Sequence, residues 1–230
     1  MKVELLNYTQ NPEETVALAG RLCYSGSDIE ETKNGLTKGY TKKILGILRK
    51  NGHLSTFEHV SFTFGIEGVS RVLTHQLVRH RIASYSQQSQ RYVKEEEGKF
   101  EYVIPDSIKE NEEAKNKFIE RMKKYHEYYL DALKMGIPKE DARFYLPNAA
   151  ETKIIVTMNA RALTNFLEER LCNRAQWEIR KMAEKMLGLV KEKAPILFEN
   201  IGPACVNGIC PEGTMTCGKL KEMRERYKDE

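Results

Sequence analysis

The sequence lacks the features that mark several large classes of protein. No apolar run approaches the roughly 20 residues that a membrane-spanning helix needs, and the segment Met1–Gln10 carries no apolar signal-peptide core. The five cysteines are an odd number, whereas secreted domains use paired disulfides. We therefore expect no membrane partner, reduced thiols and a cytoplasmic protein.

Several nucleotide-binding and metal-binding motifs are also missing. No Gly-x-Gly-x-x-Gly follows a strand pattern, which argues against a Rossmann site, and there is no P-loop or His-Glu-x-x-His helix. Cys205, Cys210 and Cys217 are separated by four and six residues, a looser spacing than the about two to four residues of paired zinc ligands. We predict no metal site and favour free thiols, although zinc stays open if Cys172 or a histidine joins the three.

The apolar pattern predicts an α+β fold. Strand-like alternation occurs in Lys2–Tyr8, His59–Ile66 and Lys153–Met158. Helical patterns cover Pro12–Tyr24, Tyr40–Lys50, Val69–Arg81, Ser107–Met135 and about Ala162–Lys193, with a short turn at Asp141–Leu146 and a loop at Gly26–Gly39. Because strands and helices do not alternate regularly, we expect a mixed or antiparallel sheet flanked by long helices, not a Rossmann fold. One domain over 1–230 is predicted, with a Cys-rich tail at about 203–230.

A basic and polar cluster runs from Arg79 to Arg91. If the helix beginning near Val69 continues far enough, Gln76, Arg79 and His80 share one face. The hydroxyls, amides and guanidinium groups that follow suit a phosphate joined to a polar heterocycle. The alternative is a solvated helix end and a polar loop. The mild net charge of +4 suits a small anionic substrate and lacks the clustering of a DNA-binding surface.

A second polar constellation lies on the last long helical pattern. Arg170 and Arg174 fall on the same face as the apolar Leu163, Phe166 and Leu167. Further polar residues stand at the helix entry, namely Asn159, Arg161 and Asn165. Because buried arginines need anionic partners, this face indicates a bound ligand, buried ion pairs to glutamates, or the seam of an oligomer.

The segment Arg79–Tyr92, RHRIASYSQQSQRY, resembles the signature of the flavin-dependent thymidylate synthases. Arg79-His80-Arg81 is followed after seven residues by Ser89, as in that family's Arg-His-Arg-x7-Ser motif. Companion segments occur in order, from His53…Phe57-Glu58-His59 to Ala175-Gln176-Trp177-Glu178. The resemblance extends to about Phe198 and excludes the Cys-rich tail.

The resemblance implies a methyltransferase that converts dUMP to dTMP in de novo dTMP biosynthesis. The carbon donor would be 5,10-methylenetetrahydrofolate, and FAD reduced by NADPH would supply the hydride. It also implies a homotetramer whose active sites are shared between subunits, with no nucleic acid partner.

The resemblance further implies two sets of binding residues. FAD would be held by Ser55, Glu58, Arg79, His80, Arg81, Asn159, Arg161 and Asn165. The substrate dUMP would be held by Gln76, Arg79, Gln87, Gln88, Ser89, Gln90, Arg91, Arg143 and Arg170. Gln87 occupies a position that is acidic in some relatives, so we expect only a neutral polar contact from it.

Arg170, His53 and Ser89 are the candidates for the catalytic machinery. Methylation at C5 of uracil needs a nucleophilic C5, and a cation over the pyrimidine oxygens stabilises the enolate-like charge, which suits Arg170. His53 would lie beside the flavin and the folate. Ser89 has no obvious base beside it in sequence, so we favour hydride from reduced flavin, with Ser89 as a dUMP contact.

Two rival functions stay open from the sequence alone. A basic RNA- or nucleotide-binding module without catalysis would use the Arg79–Arg91 cluster and tyrosines for stacking. A flavoprotein reductase acting on another substrate would share the flavin residues, but the arginines assigned to dUMP argue against it.

Overall fold

Alternating apolar side chains build the longest strand of the sheet. The computed structural model describes residues 1–93 and 100–228, and strand β2 (Ser61–Ser70) buries Phe62, Phe64 and Ile66. The other strands are β1 (Lys2–Tyr8), β3 (Ser84–Gln87) and β4 (Glu151–Asn159). They form an antiparallel sheet in the order β1-β2-β4-β3. The α+β prediction is confirmed.

Helices occupy most of the remaining described chain. They are α1 (Pro12–Leu22), α2 (Ile29–Asn34), α3 (Lys38–Lys50), α4 (Arg71–Leu77), α5 (Asp106–Lys109), α6 (Glu112–Lys134), α7 (Lys139–Ala142), α8 (Ala160–Arg170), α9 (Trp177–Lys193) and α10 (Leu220–Tyr227). Short 3-10 turns lie at Leu54–His59, Arg143–Tyr145, Ala204–Val206 and Gly213–Met215. No helix within the two described ranges is long and apolar enough to cross a membrane.

Two helices end earlier than the apolar pattern predicts. Helix α4 ends at Leu77, so the shared helical face predicted for Gln76, Arg79 and His80 is wrong. The helix predicted over 162–193 is two helices, because the Gln176 side chain accepts hydrogen bonds from the first-turn amides of α9. Arg174 is exposed in the intervening turn, so it shares no helical face with Arg170.

Side-chain caps explain the other departures. Asn111 caps α6 by accepting a hydrogen bond from Ala114 N, so this helix begins at Glu112 and not at the predicted Ser107. Within the predicted loop at Gly26–Gly39, the Asp28 carboxylate accepts from Glu31 N and starts α2. Strand β3 and helix α10 are not among the elements that the apolar pattern predicts, and α10 lies within the predicted Cys-rich tail.

Backbone contacts divide the chain into two compact units, and the first comprises Met1–Lys2, Ile66–Arg79 and Tyr85–Ile155. Its core contains Tyr129, Ala132 and Ala142. The Phe100 ring stacks on His126 with centroids 4.9 Å apart. The core therefore joins α6 to α7 and to the segment that begins at Phe100.

The second unit comprises Val3–Gly65, His80–Ser84 and Val156–Glu230. The Phe62 and Phe198 rings pack edge to face, with their centroids 5.3 Å apart. The Arg49 guanidinium caps the chain beyond α9, donating to the carbonyl oxygens of Leu197 at 2.6 Å and Glu199 at 3.3 Å. Burial lowers the pKa of Arg49. The expectation of one domain over 1–230 stays a prediction.

Candidate active site

In the second unit, Arg170 and His80 form a hydrogen-bonded pair. Arg170 is the last residue of α8, and its Nε–H donates to Nε2 of His80 at 2.9 Å. The His80 ring meets the buried Phe166 ring edge-on, with centroids 4.9 Å apart. Glu169 Oε2 lies 3.9 Å from the same His80 nitrogen. Contacts with three side chains therefore surround this imidazole.

The Arg170 bond fixes the protonation state of His80. An arginine Nε–H can only donate, so Nε2 carries no proton and the ring of His80 is uncharged. Burial lowers the pKa of His80, and the Arg170 charge lowers it further, against a smaller opposing effect of Glu169. His80 is thus a neutral acceptor near pH 7.

The first turn of α8 positions the residues predicted to hold FAD. The Asn159 side chain caps the helix by accepting from Ala162 N at 2.8 Å. Arg161 pairs with Glu58 at 2.6 Å, with both side chains about half exposed. One turn on, Asn165 Nδ2 donates to Glu169 Oε1 at 3.3 Å. The structure therefore brings four predicted FAD residues onto or beside α8.

A cavity of about 400 Å³ lies beside this helix in the same unit. Its lining includes His53, Ser55 and Arg161, all predicted site residues, together with Tyr24. The Tyr24 and His53 rings stack with centroids 6.4 Å apart, and Tyr24 Oη lies 3.5 Å from His53 Nδ1. Paired rings, a hydroxyl and a guanidinium fit an aromatic cofactor with an anionic linker, as FAD has. Arg81 is exposed.

In the first unit, Arg91 and Arg143 meet at Glu140. Arg91 Nε lies 2.6 Å from a Glu140 carboxylate oxygen, and Arg143 Nε donates to the Glu140 carbonyl at 3.0 Å. These residues come from separate predicted segments, and Glu140 was missed because an isolated surface glutamate carries no signal. Each guanidinium group is held by its own contact with Glu140, and a guanidinium fork can bind a phosphate bidentately.

In the first unit, the side-chain amide of Gln90 is a candidate for hydrogen bonding to a ligand. Its side chain is buried, 8% exposed, and its Nε2 has no hydrogen-bond partner among the described residues. A buried amide without a partner is costly. A carbonyl oxygen of a bound pyrimidine would satisfy it.

Four of the other five predicted substrate residues have hydrogen-bond partners in the structure, and Arg79 is exposed. Gln87 Nε2 bridges the hydroxyls of Thr74 and Thr152 at 3.2 and 3.3 Å, so it joins α4 to β4. Ser89 Oγ accepts from Arg91 N. Gln76 donates a long hydrogen bond to Val72 O. The backbone carbonyl of Gln88 accepts a hydrogen bond from Arg71.

A second cavity in the second unit, of about 560 Å³, has cysteines in its wall. Cys172, Cys205 and Cys210 line it alongside Arg170 and Arg174. Burial, followed by the proximity of Cys210, Cys172 and Cys217, raises the pKa of the Cys205 thiol. All these thiols are free. Within 1–93 and 100–228, no three His, Cys, Asp or Glu side chains are arranged to hold a metal ion.

Comparisons with known proteins identify the family. A family profile described as "Thymidylate synthase complementing protein" matches residues 4–196. A flavin-dependent thymidylate synthase of Clostridium tetani is 52% identical, covering 99% of this chain and 97% of the relative. The chain belongs to this family. The relative of that name from Geobacter sulfurreducens is also 52% identical, covering 100% of this chain and 99% of its own. The resemblance inferred from Arg79–Tyr92 is confirmed.

The fold is also found in a solved structure. A UMP/dUMP methylase, PolB, from Streptomyces cacaoi, bound with 5-Br dUMP, superposes with a TM-score of 0.76. The match covers 85% of this chain and 92% of that chain at 24% identity. It supports the non-Rossmann α+β fold of this chain.

Proposed function

We propose that this protein is an FAD-dependent thymidylate synthase, which methylates dUMP to dTMP with 5,10-methylenetetrahydrofolate as carbon donor and NADPH as reductant. The observation that carries the proposal is 52% identity to flavin-dependent thymidylate synthases over essentially the whole chain. The geometry of each unit supplies groups suited to one part of the reaction.

The dUMP phosphate is assigned to Arg91 and Arg143. Arg91 is held by the Glu140 carboxylate and Arg143 by the Glu140 backbone carbonyl, and side chains that are already ordered lose less entropy on binding. The buried amide of Gln90 is assigned to a uracil carbonyl, because its Nε2 needs an acceptor. Substrate contacts are also assigned to Gln76, Arg79, Gln87, Gln88 and Ser89.

Arg170 is assigned to the charge that develops on uracil. When C5 of uracil attacks an electrophilic carbon, negative charge builds on the ring oxygens, and a fixed cation beside them lowers the barrier. The His80 bond uses the Nε–H group of Arg170. The two terminal nitrogens are the donors that we assign to the uracil oxygen.

FAD is assigned to the residues around α8 in the second unit. Ser55, Glu58, Arg161, Asn159, Asn165, His80 and Arg81, with Arg79, would hold it, and bound FAD reduced by NADPH supplies a hydride. The Tyr24–His53 pair gives an aromatic wall, and we assign His53 a place beside the flavin and the folate.

No protein nucleophile is required by this scheme. None of the five cysteines belongs to the residues assigned to dUMP. Ser89 Oγ accepts a hydrogen bond from Arg91 N, so the described contacts give it an acceptor role and show no base that removes its proton. Ser89 is therefore assigned as a dUMP contact.

The assembly is part of the same proposal. We assign a homotetramer with active sites shared between subunits, so residues of more than one chain can hold one nucleotide. The free thiols fit a reducing compartment, and we place the enzyme in the cytoplasm.

A direct assay tests the proposed function. Purified protein is incubated without oxygen with FAD, NADPH, dUMP and 5,10-methylenetetrahydrofolate carrying a carbon-13 methylene, and dTMP is measured by mass spectrometry. Carbon-13 in the dTMP methyl group, dependent on every component, is expected. Oxidation of NADPH with no labelled dTMP would instead indicate a flavoprotein reductase with another substrate.

A further inference from the structure

The geometry points to His80 as a positioning residue for Arg170, holding the guanidinium in place as an uncharged acceptor. This inference rests on the proposed function, in which Arg170 faces uracil. It gives His80 a role on the nucleotide side of the reaction, in addition to the FAD contact that the family resemblance implies.

The hydrogen bond of His80 controls the plane of the Arg170 fork. The three guanidinium nitrogens are coplanar, so fixing the direction of the Nε–H bond also fixes the plane in which the two terminal nitrogens lie. Without such a partner, the long side chain of a half-buried arginine would sample several rotamers. The 2.9 Å bond between Nε and Nε2 of His80 therefore preorganises Arg170.

Phe166 keeps the imidazole in place. Its ring is fully buried and lies one turn before Arg170 on α8. The edge-on contact with His80, at an interplanar angle of 78°, is a preferred aromatic geometry. Phe166 and Arg170 belong to the same helix. The contact with Phe166 therefore fixes the position of the imidazole relative to Arg170, the residue that it orients.

An uncharged acceptor also preserves the charge of Arg170. A carboxylate at the position of His80 would neutralise the guanidinium, whereas a protonated imidazole would repel it. The neighbouring Glu169 makes its hydrogen bond with Asn165, whose Nδ2 donates to Oε1 at 3.3 Å, while its other oxygen lies 3.9 Å from His80 Nε2, too far for a hydrogen bond. His80 therefore orients the guanidinium without neutralising its charge.

Two substitutions of His80 separate the roles. In His80→Leu the acceptor is removed, and in His80→Gln the side-chain amide oxygen can reach the same Arg170 N–H group. We expect His80→Leu to weaken dUMP binding and turnover about 10- to 100-fold, because a hydrogen bond to a charged group is lost, and to weaken FAD binding by less than it weakens dUMP binding. His80→Gln should recover most of this loss. His75→Leu, at an exposed position on α4, is the matched control and should behave as wild type.

A double-substitution cycle tests whether His80 acts through Arg170. The His80→Leu/Arg170→Ala protein should be no worse than Arg170→Ala alone, because one interaction is being removed twice. Additive losses, loss of FAD without loss of dUMP affinity, or failure of His80→Gln to rescue would each overturn the inference.

A measurement without catalysis separates this inference from the proposed function. In protein with nitrogen-15 arginine, the Arg170 Nε–H resonance, assigned from its loss in Arg170→Ala, should shift in His80→Leu and return in His80→Gln. An unchanged resonance in His80→Leu would contradict the role of His80, whether or not dTMP forms. Absence of labelled dTMP from wild-type protein would contradict only the proposed function.

Discussion

Arg170 and His80 are 90 positions apart in sequence, and their Nε and Nε2 atoms lie 2.9 Å apart. The pair joins His80 of the Arg-His-Arg motif to the last residue of α8, two features that the sequence presents separately. The hydrogen bond to His80 orients the guanidinium group of Arg170 at the C-terminal end of α8.

Arg170→Ala should reduce turnover by about 100- to 1,000-fold, the usual loss when a donor to developing negative charge is removed. Oligomeric state and FAD content, measured by gel filtration and absorbance, should not change. Arg170→Lys should be nearly as poor, because an ammonium group cannot reproduce the planar fork held by His80. Near-wild-type activity of Arg170→Ala would remove it from the mechanism.

Turnover should fall on the acid side as His80 becomes protonated. Because burial and Arg170 lower the pKa of His80 below its ordinary value of about 6.5, this acid limb should lie below pH 6.5. Below that pH, His80 is protonated more readily in the unfolded chain than in the folded chain. The free energy of unfolding should therefore also fall as pH falls.

The difference between wild type and His80→Gln isolates this contribution, since glutamine does not titrate there. In His80→Gln, turnover should no longer fall at acid pH through this group. The free energy of unfolding should lose the pH dependence that His80 contributes. Glu168, whose pKa is raised by burial, is present in both proteins. Its titration therefore cancels in the comparison. The same acid limb in both proteins would assign it to another group.

Arg161→Ala should release FAD without unfolding the protein. The ion pair with Glu58 is about half exposed on both sides, so its loss should cost less than about 1 kcal/mol of stability. FAD affinity, measured by fluorescence recovery, should fall about 10- to 100-fold if Arg161 contacts the anionic linker. Lys117→Ala, which breaks an exposed pair with Glu113 on α6, should leave FAD affinity unchanged.

Gln90→Leu should separate binding from stability. The buried Nε2 has no partner among the described residues, so replacing the amide should leave the free energy of unfolding unchanged or raise it slightly. The dissociation constant of dUMP should rise roughly 5- to 10-fold, the cost of one hydrogen bond. Titration calorimetry and thermal unfolding measure the two quantities, and unchanged dUMP affinity would exclude the assigned contact.

Gly202→Ala should loosen the attachment of the C-terminal helix. An added Cβ would lie 2.5 Å from Tyr227 Cβ and 2.9 Å from Val206 Cγ2, closer than packed atoms allow. We expect a loss of about 1–3 kcal/mol in denaturant unfolding. Gly46→Ala, on an open face of α3 with nothing within 4 Å, should instead gain about 0.5–1 kcal/mol. Equal effects would show that Gly202 is not packed against α10.

Strong apolar periodicity made much of the fold predictable from sequence. The alternation of Phe62, Phe64 and Ile66 placed β2, and the run of Leu163, Phe166 and Leu167 placed the buried face of α8. Helix ends were harder, because a single side-chain cap decides them. Gln176 ends one helix pattern and begins another through two hydrogen bonds, and no glycine or proline marks that break.

The candidate site was predictable where residue type alone signals chemistry. Arginines such as Arg91, Arg143 and Arg170 stand out because guanidinium groups bind anions. Their partners did not, since the contact of Glu140 with two arginines and the stacking of Tyr24 on His53 depend on tertiary structure. Gln87 shows the opposite case, a motif residue whose amide nitrogen bridges two threonines inside the fold.

The visible absorbance spectrum of the purified protein, recorded before and after adding dUMP, tests the central claim most directly. We expect a flavin spectrum that dUMP perturbs, with FAD released on denaturation, because both ligands would share one active site. A colourless protein that takes up no added FAD would contradict the account, and salt-sensitive RNA binding by that protein would identify the basic binding module instead.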